Sequence, residues 1–290
     1  MIEMVTIAGD GAGALVLYKG LIPCVKKIFI HTNTCEIFKN MRKVDEFTNE
    51  LLYSPTKTVI CSAYAPIIDT ETLREKEFLN IHYAPLPKYR GMHPIVWGII
   101  NNENYLGWTL HKMDQWIDSG PIIYQYKVKN DYKSSSIDYM NLFHRKVQET
   151  IGATLLNYLT GKIRPTPQDK KEATWGIKRN LLDCRVNFSY THKEIVNLFR
   201  ALVEPYPLPF IEKDGVKYFI KKYKLHNQNI KSLTLGTITN IDDEGVWIKV
   251  SDGYLVAQEL CNNKGEVINR TPFKIGTRLD KCIQSNVLTK

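Results

Sequence analysis

Along the first 130 residues the apolar positions fall in short β-prone runs separated by helical or turn-rich stretches. Residues 2–8 form one run and end in Gly9-Asp10-Gly11-Ala12-Gly13-Ala14; residues 15–21 then have a helical pattern, and residues 27–31 are apolar again. Strand, Gly-rich turn, helix, strand is the opening of a doubly wound α/β sheet. The pattern next predicts a polar helix over residues 36–52, broken at Ser54-Pro55, and a central strand over 58–63. After Pro66 a short helix is expected over 69–78, with Thr72 and Glu75 spaced as a capping box. Residues 79–82 are the next strand, which places Asn80 and His82 near a carboxyl end, where open α/β sheets hold their ligands. Pro85, Pro87 and Gly91 then impose a loop, followed by a helix from His93-Pro94 to residue 101 and strands at 105–111 and 121–128. Ser134 to Ser136 can cap a long helix to residue 159, with Tyr139, Phe143, Val147, Ile151 and Leu155 four apart on one face and Gly161 at its end.

Beyond Gly161 the pattern changes. Arg164-Pro165-Thr166-Pro167 and Lys170-Lys171-Glu172 read as a linker, and Thr191-x-x-Glu194 caps a helix to about Leu202 that Pro205-Tyr206-Pro207 stops. Short strands at 218–222, 236–239, 246–250 and 254–260, with Asp252-Gly253 as a hairpin turn, suggest a small OB-like β-barrel. The expected fold is therefore a doubly wound, mostly parallel α/β catalytic domain over 1–161, a linker over 162–182 and a small barrel over 183–290.

Composition narrows the class. At 43% apolar and 24% charged residues the 290-residue chain is globular rather than mainly disordered. Its start lacks a basic region followed by a cleavable apolar run, and no apolar stretch approaches the about 18 residues of a membrane span, so a cytoplasmic location is expected. The net charge of +9 is uneven: residues 161–290 hold 22 basic and 14 acidic residues, against 17 and 16 in residues 1–160. An anionic partner or a solvated Lys-rich surface would both account for that. The six cysteines (Cys24, Cys35, Cys61, Cys184, Cys261, Cys282) have no metal-ligand or redox spacing and read as reduced, mostly buried thiols. Gly9, Gly11 and Ala14 match G-x-G-x-x-A, but no acidic residue closes the second strand to hold a ribose, so tight strand-to-helix packing is the better reading.

Candidate chemistry concentrates between Asn80 and Gly120. Attack on a carbonyl creates a negative oxygen, and an Asn amide and an imidazole two residues apart on one strand face can stabilise it. A carboxylate set against that imidazole can accept the proton an attacking amine must lose, fix the imidazole's tautomer and favour its charged form. Asn80, His82 and Asp118 would divide these tasks. The residues alone leave other readings open: a turn asparagine, a core histidine and a capping aspartate, or a metal site drawn from His82, His93, His111, Asp114 and Asp118, although no metal-ligand spacing is present.

The multi-part pattern Asn80-Ile81-His82, Leu86-Pro87-Lys88-Tyr89-Arg90-Gly91, Pro94-Ile95, Gly107-x-Thr109-Leu110-His111-x-Met113-Asp114 and Ile117-Asp118-x-Gly120 resembles the folate-dependent formyltransferases. That resemblance implies transfer of a formyl group from N10-formyltetrahydrofolate to an amine, with Asn80, His82 and Asp118 as the catalytic set and no metal. It also implies pterin contacts from Ala63, Tyr64, Leu86, Trp116 and Ile117, and acceptor contacts from Lys88, Arg90 and His93. More faintly, residues 191–207, Gly236-Thr237-Ile238 and Asp252-Gly253 resemble the small C-terminal barrel of methionyl-tRNA formyltransferases and related sugar formyltransferases. Ala84-Pro85 and Met92-His93 depart from the tRNA-enzyme form, and Asn80 arrives early in the chain. Together these favour a nucleotide-linked amino deoxysugar, of the kind used in surface polysaccharide (O-antigen) synthesis, over tRNA. A nucleotide- or nucleic-acid-binding module without turnover would predict a disrupted Asn, His, Asp set, and all three are present. The oligomeric state is left open, a homodimer being one option.

Overall fold

The computed structural model describes residues 1–32, 44–47, 51, 54–227 and 234–279. They form two compact units. Met1–Gly98, Glu103–Asp131 and Asp138–Lys178 contribute to the first; Ile99–Asn102, Tyr132–Ile137 and the described part of Arg179–Lys290 contribute to the second.

In chain order the strands and helices of the α/β part are β1 (Ile2–Gly9), α1 (Gly11–Leu21), β2 (Val25–His31), β3 (Val44–Phe47), β4 (Thr58–Ser62), α2 (Thr70–Glu75), β5 (Glu77–His82), β6 (Arg90–Gly91), α3 (Pro94–Ile100), β7 (Tyr105–Lys112), β8 (Ile122–Lys129), α4 (Ser136–Leu159) and β9 (Trp175–Gly176). Seven strands make one sheet in the order β3-β2-β1-β4-β5-β7-β8, and β6 pairs with β9 separately. From β3 to β5 all neighbours are parallel, while β7 and β8 continue the sheet antiparallel. This is the doubly wound, mostly parallel sheet that the alternation of strand and helix patterns predicts.

The apolar runs become the sheet core because strands covered on both faces cannot alternate: every residue of β4 is buried, as is all of β1 except Glu3 and Met4. The five-residue stripe of α4 (Tyr139, Phe143, Val147, Ile151, Leu155) is buried along its whole length. Burial of such side chains stabilises by roughly 1.5–3 kcal/mol each. The Gly-rich turn after β1 serves close packing: a Cβ on Gly13 would lie 2.9 Å from Ala63 Cβ and Ser62 Oγ. Asp10, at the N-cap position of α1, accepts a hydrogen bond from Thr32 Oγ1 at 2.9 Å. Burial pushes the Cys61 thiol up to about 12, leaving it a small core residue rather than a nucleophile.

Two local expectations are corrected. Val44–Phe47, inside the stretch expected to be helical over 36–52, is an edge strand parallel to β2, with Val44 opposite Ile28; residues 36–43, 48–50 and 52 lie outside the described residues. The cap of α2 is Asp69, whose carboxylate accepts from Thr72 N and Thr72 Oγ1 at 2.8 Å each, so Thr72 sits inside the helix rather than at its cap.

The second unit carries α5 (His192–Ala201), β10 (Phe210–Lys213), β11 (Val216–His226), β12 (Ile238–Asp242), β13 (Gly245–Val250) and β14 (Gly253–Cys261). Its strands form a five-stranded antiparallel sheet, order β10-β11-β14-β13-β12, the half-barrel form of the small barrel expected here. The Thr191–Glu194 capping box is present as expected, whereas β10, short and directly after Pro209, is an additional strand. Lys217, Lys221, Lys222 and Lys224 on β11 face Glu212, Glu259 and Glu244 at 2.7–4.0 Å. Among the described residues no helix is long and apolar enough to cross a membrane.

Candidate active site

The parallel pairing of β4 with β5 ends at Ser62 and Ile81, so Asn80 and His82 stand at the carboxyl end of the sheet. Asn80 is in register with His111 on the antiparallel neighbour β7, which brings both side chains to one face. His82, two residues further along β5, shares that face. The loop after β5 is tied down by Thr109, which donates to Ala84 O at 2.7 Å and accepts from Leu86 N at 3.2 Å and from Gln125 Nε2 at 3.0 Å.

Asp118 comes to this face from the loop between β7 and β8, at φ 50°, in the left-handed region. Its carboxylate meets all three side chains. Asn80 Nδ2 lies 3.3 Å from Asp118 Oδ1 and 3.3 Å from His111 Nε2; His111 Nε2 is 3.4 Å from Asp118 Oδ1, and His82 Nδ1 is 3.4 Å from Asp118 Oδ2. The backbone N–H of Gly91 donates to Asp118 Oδ2 at 2.8 Å. Asp118, only 11% exposed, is thus an enclosed anion with two donors, Asn80 Nδ2 and the Gly91 N–H, and two imidazole nitrogens around it.

Tautomers follow from the carbonyls, which can only accept. His82 Nε2 donates to Tyr89 O at 2.7 Å and His111 Nδ1 donates to Lys112 O at 2.8 Å. The Tyr89 carbonyl, rather than Asp118, therefore fixes the His82 tautomer. Burial lowers the His82 pKa below its ordinary value despite the opposing pull of Asp118, so the neutral form is favoured, with its Nδ1 lone pair turned to the carboxylate. Burial by itself would raise the Asp118 carboxyl; hydrogen bonding to His111, the charges of His82 and His111 and the Gly91 N–H outweigh it and bring the carboxyl down to about 2.

The other sequence-derived positions are distributed as follows. Ala63 follows β4 with φ 53° and is exposed, and the Tyr64 hydroxyl lies 3.4 Å from His31 Nε2. Leu86 is buried in the loop held by Thr109. Trp116 and Ile117, the two residues before Ser119's neighbour Asp118, are open to solvent at 67% and 60%. Lys88 pairs with Glu103 at 3.0 Å. Arg90 is turned inward, 6% exposed, with its guanidinium 5.6 Å over the Trp175 ring. His93 immediately precedes α3 with φ 54°, its carbonyl accepting from Trp97 N at 3.1 Å. Asp114, one of the metal candidates, accepts from Trp116 N and Ser119 Oγ within its own loop, and among the described residues no three His, Cys, Asp or Glu side chains are arranged to hold a metal ion. His111 entered the sequence reading only as a metal candidate: its contact with Asn80 depends on the β5–β7 register, which spacing along the chain does not reveal.

A formyl transferase family model matches residues 22–155, and a model of the formyl transferase C-terminal domain matches residues 180–277. A methionyl-tRNA formyltransferase of Malacoplasma penetrans (strain HF-2) is 31% identical over 267 residues, covering 88% of this chain and 82% of the relative. Among solved structures, WlaRD, a sugar 3N-formyl transferase crystallised with dTDP and 5-N-formyl-THF, superposes with a TM-score of 0.67 at 20% identity, over 93% of this chain and 99% of that one. An N-formyltransferase from Helicobacter canadensis, in complex with folinic acid and dTDP-3-aminofucose, gives a TM-score of 0.66 at 22% identity, over 89% and 99%.

Proposed function

The chain belongs to the folate-dependent formyltransferase family, and on that premise we propose that it moves a formyl group from N10-formyltetrahydrofolate to the amine of a nucleotide-linked amino deoxysugar. The observation that carries formyl transfer is the meeting of Asn80, His82, His111 and Asp118 at the carboxyl end of β5.

The donor supplies a carbon at the acyl level; the rest falls to the chain. Asn80 Nδ2, held against Asp118 Oδ1 and His111 Nε2 at 3.3 Å each, is the donor that would turn one N–H to the negative charge developing on the formyl oxygen. The Asp118 oxygens are taken up by Asn80 Nδ2 and the Gly91 N–H, so the carboxylate serves as a fixed anion rather than the primary proton acceptor. His82 Nδ1 is the better acceptor: it takes the proton the amine loses as the new C–N bond forms and gives it to N10 as the C–N10 bond breaks and tetrahydrofolate leaves. Once protonated at Nδ1, the imidazole has both N–H groups matched, Nε2 to Tyr89 O and Nδ1 to Asp118 Oδ2. Exposed Trp116 and Ile117, adjacent to Asp118 in the chain, fit the flat apolar ring system of the donor.

For the acceptor, the Tyr89-Arg90-Gly91-Met92-His93-Pro94 form and the short N-terminal half support the sugar nucleotide. Methionyl-tRNA is the second reading, favoured by curated relatives such as that of Malacoplasma penetrans and by the basic surplus of residues 161–290. The four lysines of β11 already face carboxylates, which leaves that surplus without a concentrated patch along this strand. The test is turnover of N10-formyltetrahydrofolate with a panel of dTDP- and UDP-linked amino sugars and, separately, with charged initiator tRNA. Formylation of a sugar nucleotide alone supports the proposal. Formylation of tRNA alone, with rates falling steeply as salt rises, overturns it.

A further inference from the structure

Between α4 and α5 the chain passes back beside the site. Within that passage Gln168 joins the two loops that carry it. Its Nε2 donates to the carbonyl oxygens of Asp118 and Gly120 at 2.8 and 2.7 Å. Its Oε1 accepts from Arg90 Nε and Nη2 at 3.1 and 2.8 Å. Arg90 is bonded in the chain to Gly91, whose N–H holds Asp118 Oδ2. The result is a closed ring: Gly91 fixes the Asp118 carboxylate, Arg90 fixes Gln168, and Gln168 fixes the Asp118 main chain.

Such a clamp has a physical reason. Asp118 sits at φ 50°, a conformation that costs a non-glycine residue free energy and persists only where its surroundings determine it. Its neighbours Trp116 and Ile117 are solvent-exposed and contribute little packing. Two donations from one amide to carbonyls on either side of Ser119 supply the missing constraint. The loop from Tyr89 to Met92 is held from the same passage by main-chain bonds, Arg90 N to Thr174 O at 2.9 Å and Met92 N to Gly176 O at 2.8 Å. Only a side chain with both a donor and an acceptor end, at this length, can bridge carbonyls to a guanidinium.

We propose that Gln168 is a positioning residue for formyl transfer, setting the direction in which the Asp118 carboxylate faces His82 and His111. This rests on the reading that Asp118 takes part in the reaction. Gln168→Glu is the decisive variant, because it keeps an acceptor for Arg90 and loses both donations to the carbonyls; Gln168→Ala removes both ends.

Two measurements decide the matter. In the first, the imidazole resonances of His82 and His111 are followed by NMR in the full-length protein; both are expected to shift in Gln168→Glu at a temperature well below its melting point, which the loss of two donations lowers. In the second, kcat and KM are measured with N10-formyltetrahydrofolate and whichever amine the wild type formylates; misplacing a catalytic group by about 1 Å costs about 10²-fold, and that fall is expected in kcat with the donor KM within about 3-fold. Unshifted imidazole resonances with a wild-type kcat would overturn the assignment, as would a loss of rate that only tracks a fall in melting temperature. If the wild type formylates neither acceptor class, the functional reading fails, and the histidine resonances still decide the role of Gln168.

Discussion

The backbone N–H of Gly91 donates to Asp118 Oδ2 at 2.8 Å, across 27 positions of sequence. That bond exists because the chain at residue 91 can take φ 91° and lie against the chain at residue 176: a Cβ here would stand 2.6 Å from Gly176 O. Gly91→Ala therefore has to push β6 away from β9 or leave the left-handed region. Loss of about 1–3 kcal/mol of stability is expected, together with a fall in kcat of about 10²-fold as the carboxylate loses its main-chain donor. Urea unfolding and initial rates on the same preparation check both; a variant with wild-type kcat would remove Gly91 from the account of the site.

His82 is the group whose removal should be least forgiving. It is enclosed between Tyr89 O, 2.7 Å from its Nε2, and Asp118 Oδ2, 3.4 Å from its Nδ1. His82→Ala is expected to lower kcat by on the order of 10²-fold or more, with far-UV circular dichroism unchanged, since the sheet register around β5 is set by main-chain pairing. Turnover within a few-fold of wild type would sink the proton-accepting role.

Stability should fall in acid in two stages. The His82 imidazole is lowered from 6.5 by burial. The unfolded chain therefore takes up a proton that the folded one refuses, and stability begins to drop as the pH goes below about 6.5. The Asp118 carboxyl is depressed from 3.8 to about 2, so its contribution is complete above pH 4 and is lost between about 4 and 2. A shift of that size in an enclosed carboxylate corresponds to on the order of 2 kcal/mol. Asp118→Asn keeps an acceptor for Gly91 N–H and loses the charge. Its stability should lie below wild type at pH 7 and converge with it as the pH approaches 2, measured by denaturant unfolding at several pH values. A gap that stays constant with pH would contradict the assignment.

Long, strongly patterned elements were legible in the chain. Residues 136–159 advertise a helix through an apolar stripe that must be buried, and β1, β4 and β5 do so through runs too apolar to be exposed. Val44–Phe47 was not, because an edge strand with Asp45 and Glu46 has no apolar run to announce it and exists only through pairing with β2. At α2, Asp69 and Thr72 are both competent caps, and the choice was made by where the helix could start after Pro66. In the site, Asn80, His82 and Asp118 could be named because polar residues stood out at a strand end and in a multi-part pattern. His111 and Gln168 could not be assigned roles. Their partners are 31 and about 50 residues away, reached through sheet register in one case and a returning segment in the other.

Trp116 separates a ligand contact from a structural one. At 67% exposure it covers little of the protein's own core, so Trp116→Ala should change stability by no more than about 0.5 kcal/mol. Trp116 stands two residues before Asp118 with its ring open, and a flat heteroaromatic donor would cover it through stacking worth about 1 kcal/mol or somewhat more. That corresponds to a donor KM raised about 5- to 10-fold with kcat little altered, because a wall contact is made equally in the bound ground state and at the barrier. Steady-state kinetics in N10-formyltetrahydrofolate at saturating acceptor, beside a thermal melt, distinguishes the outcomes. A KM equal to wild type would move the donor away from Trp116, and a lost kcat at unchanged KM would mean that the loop acts through Asp118 instead.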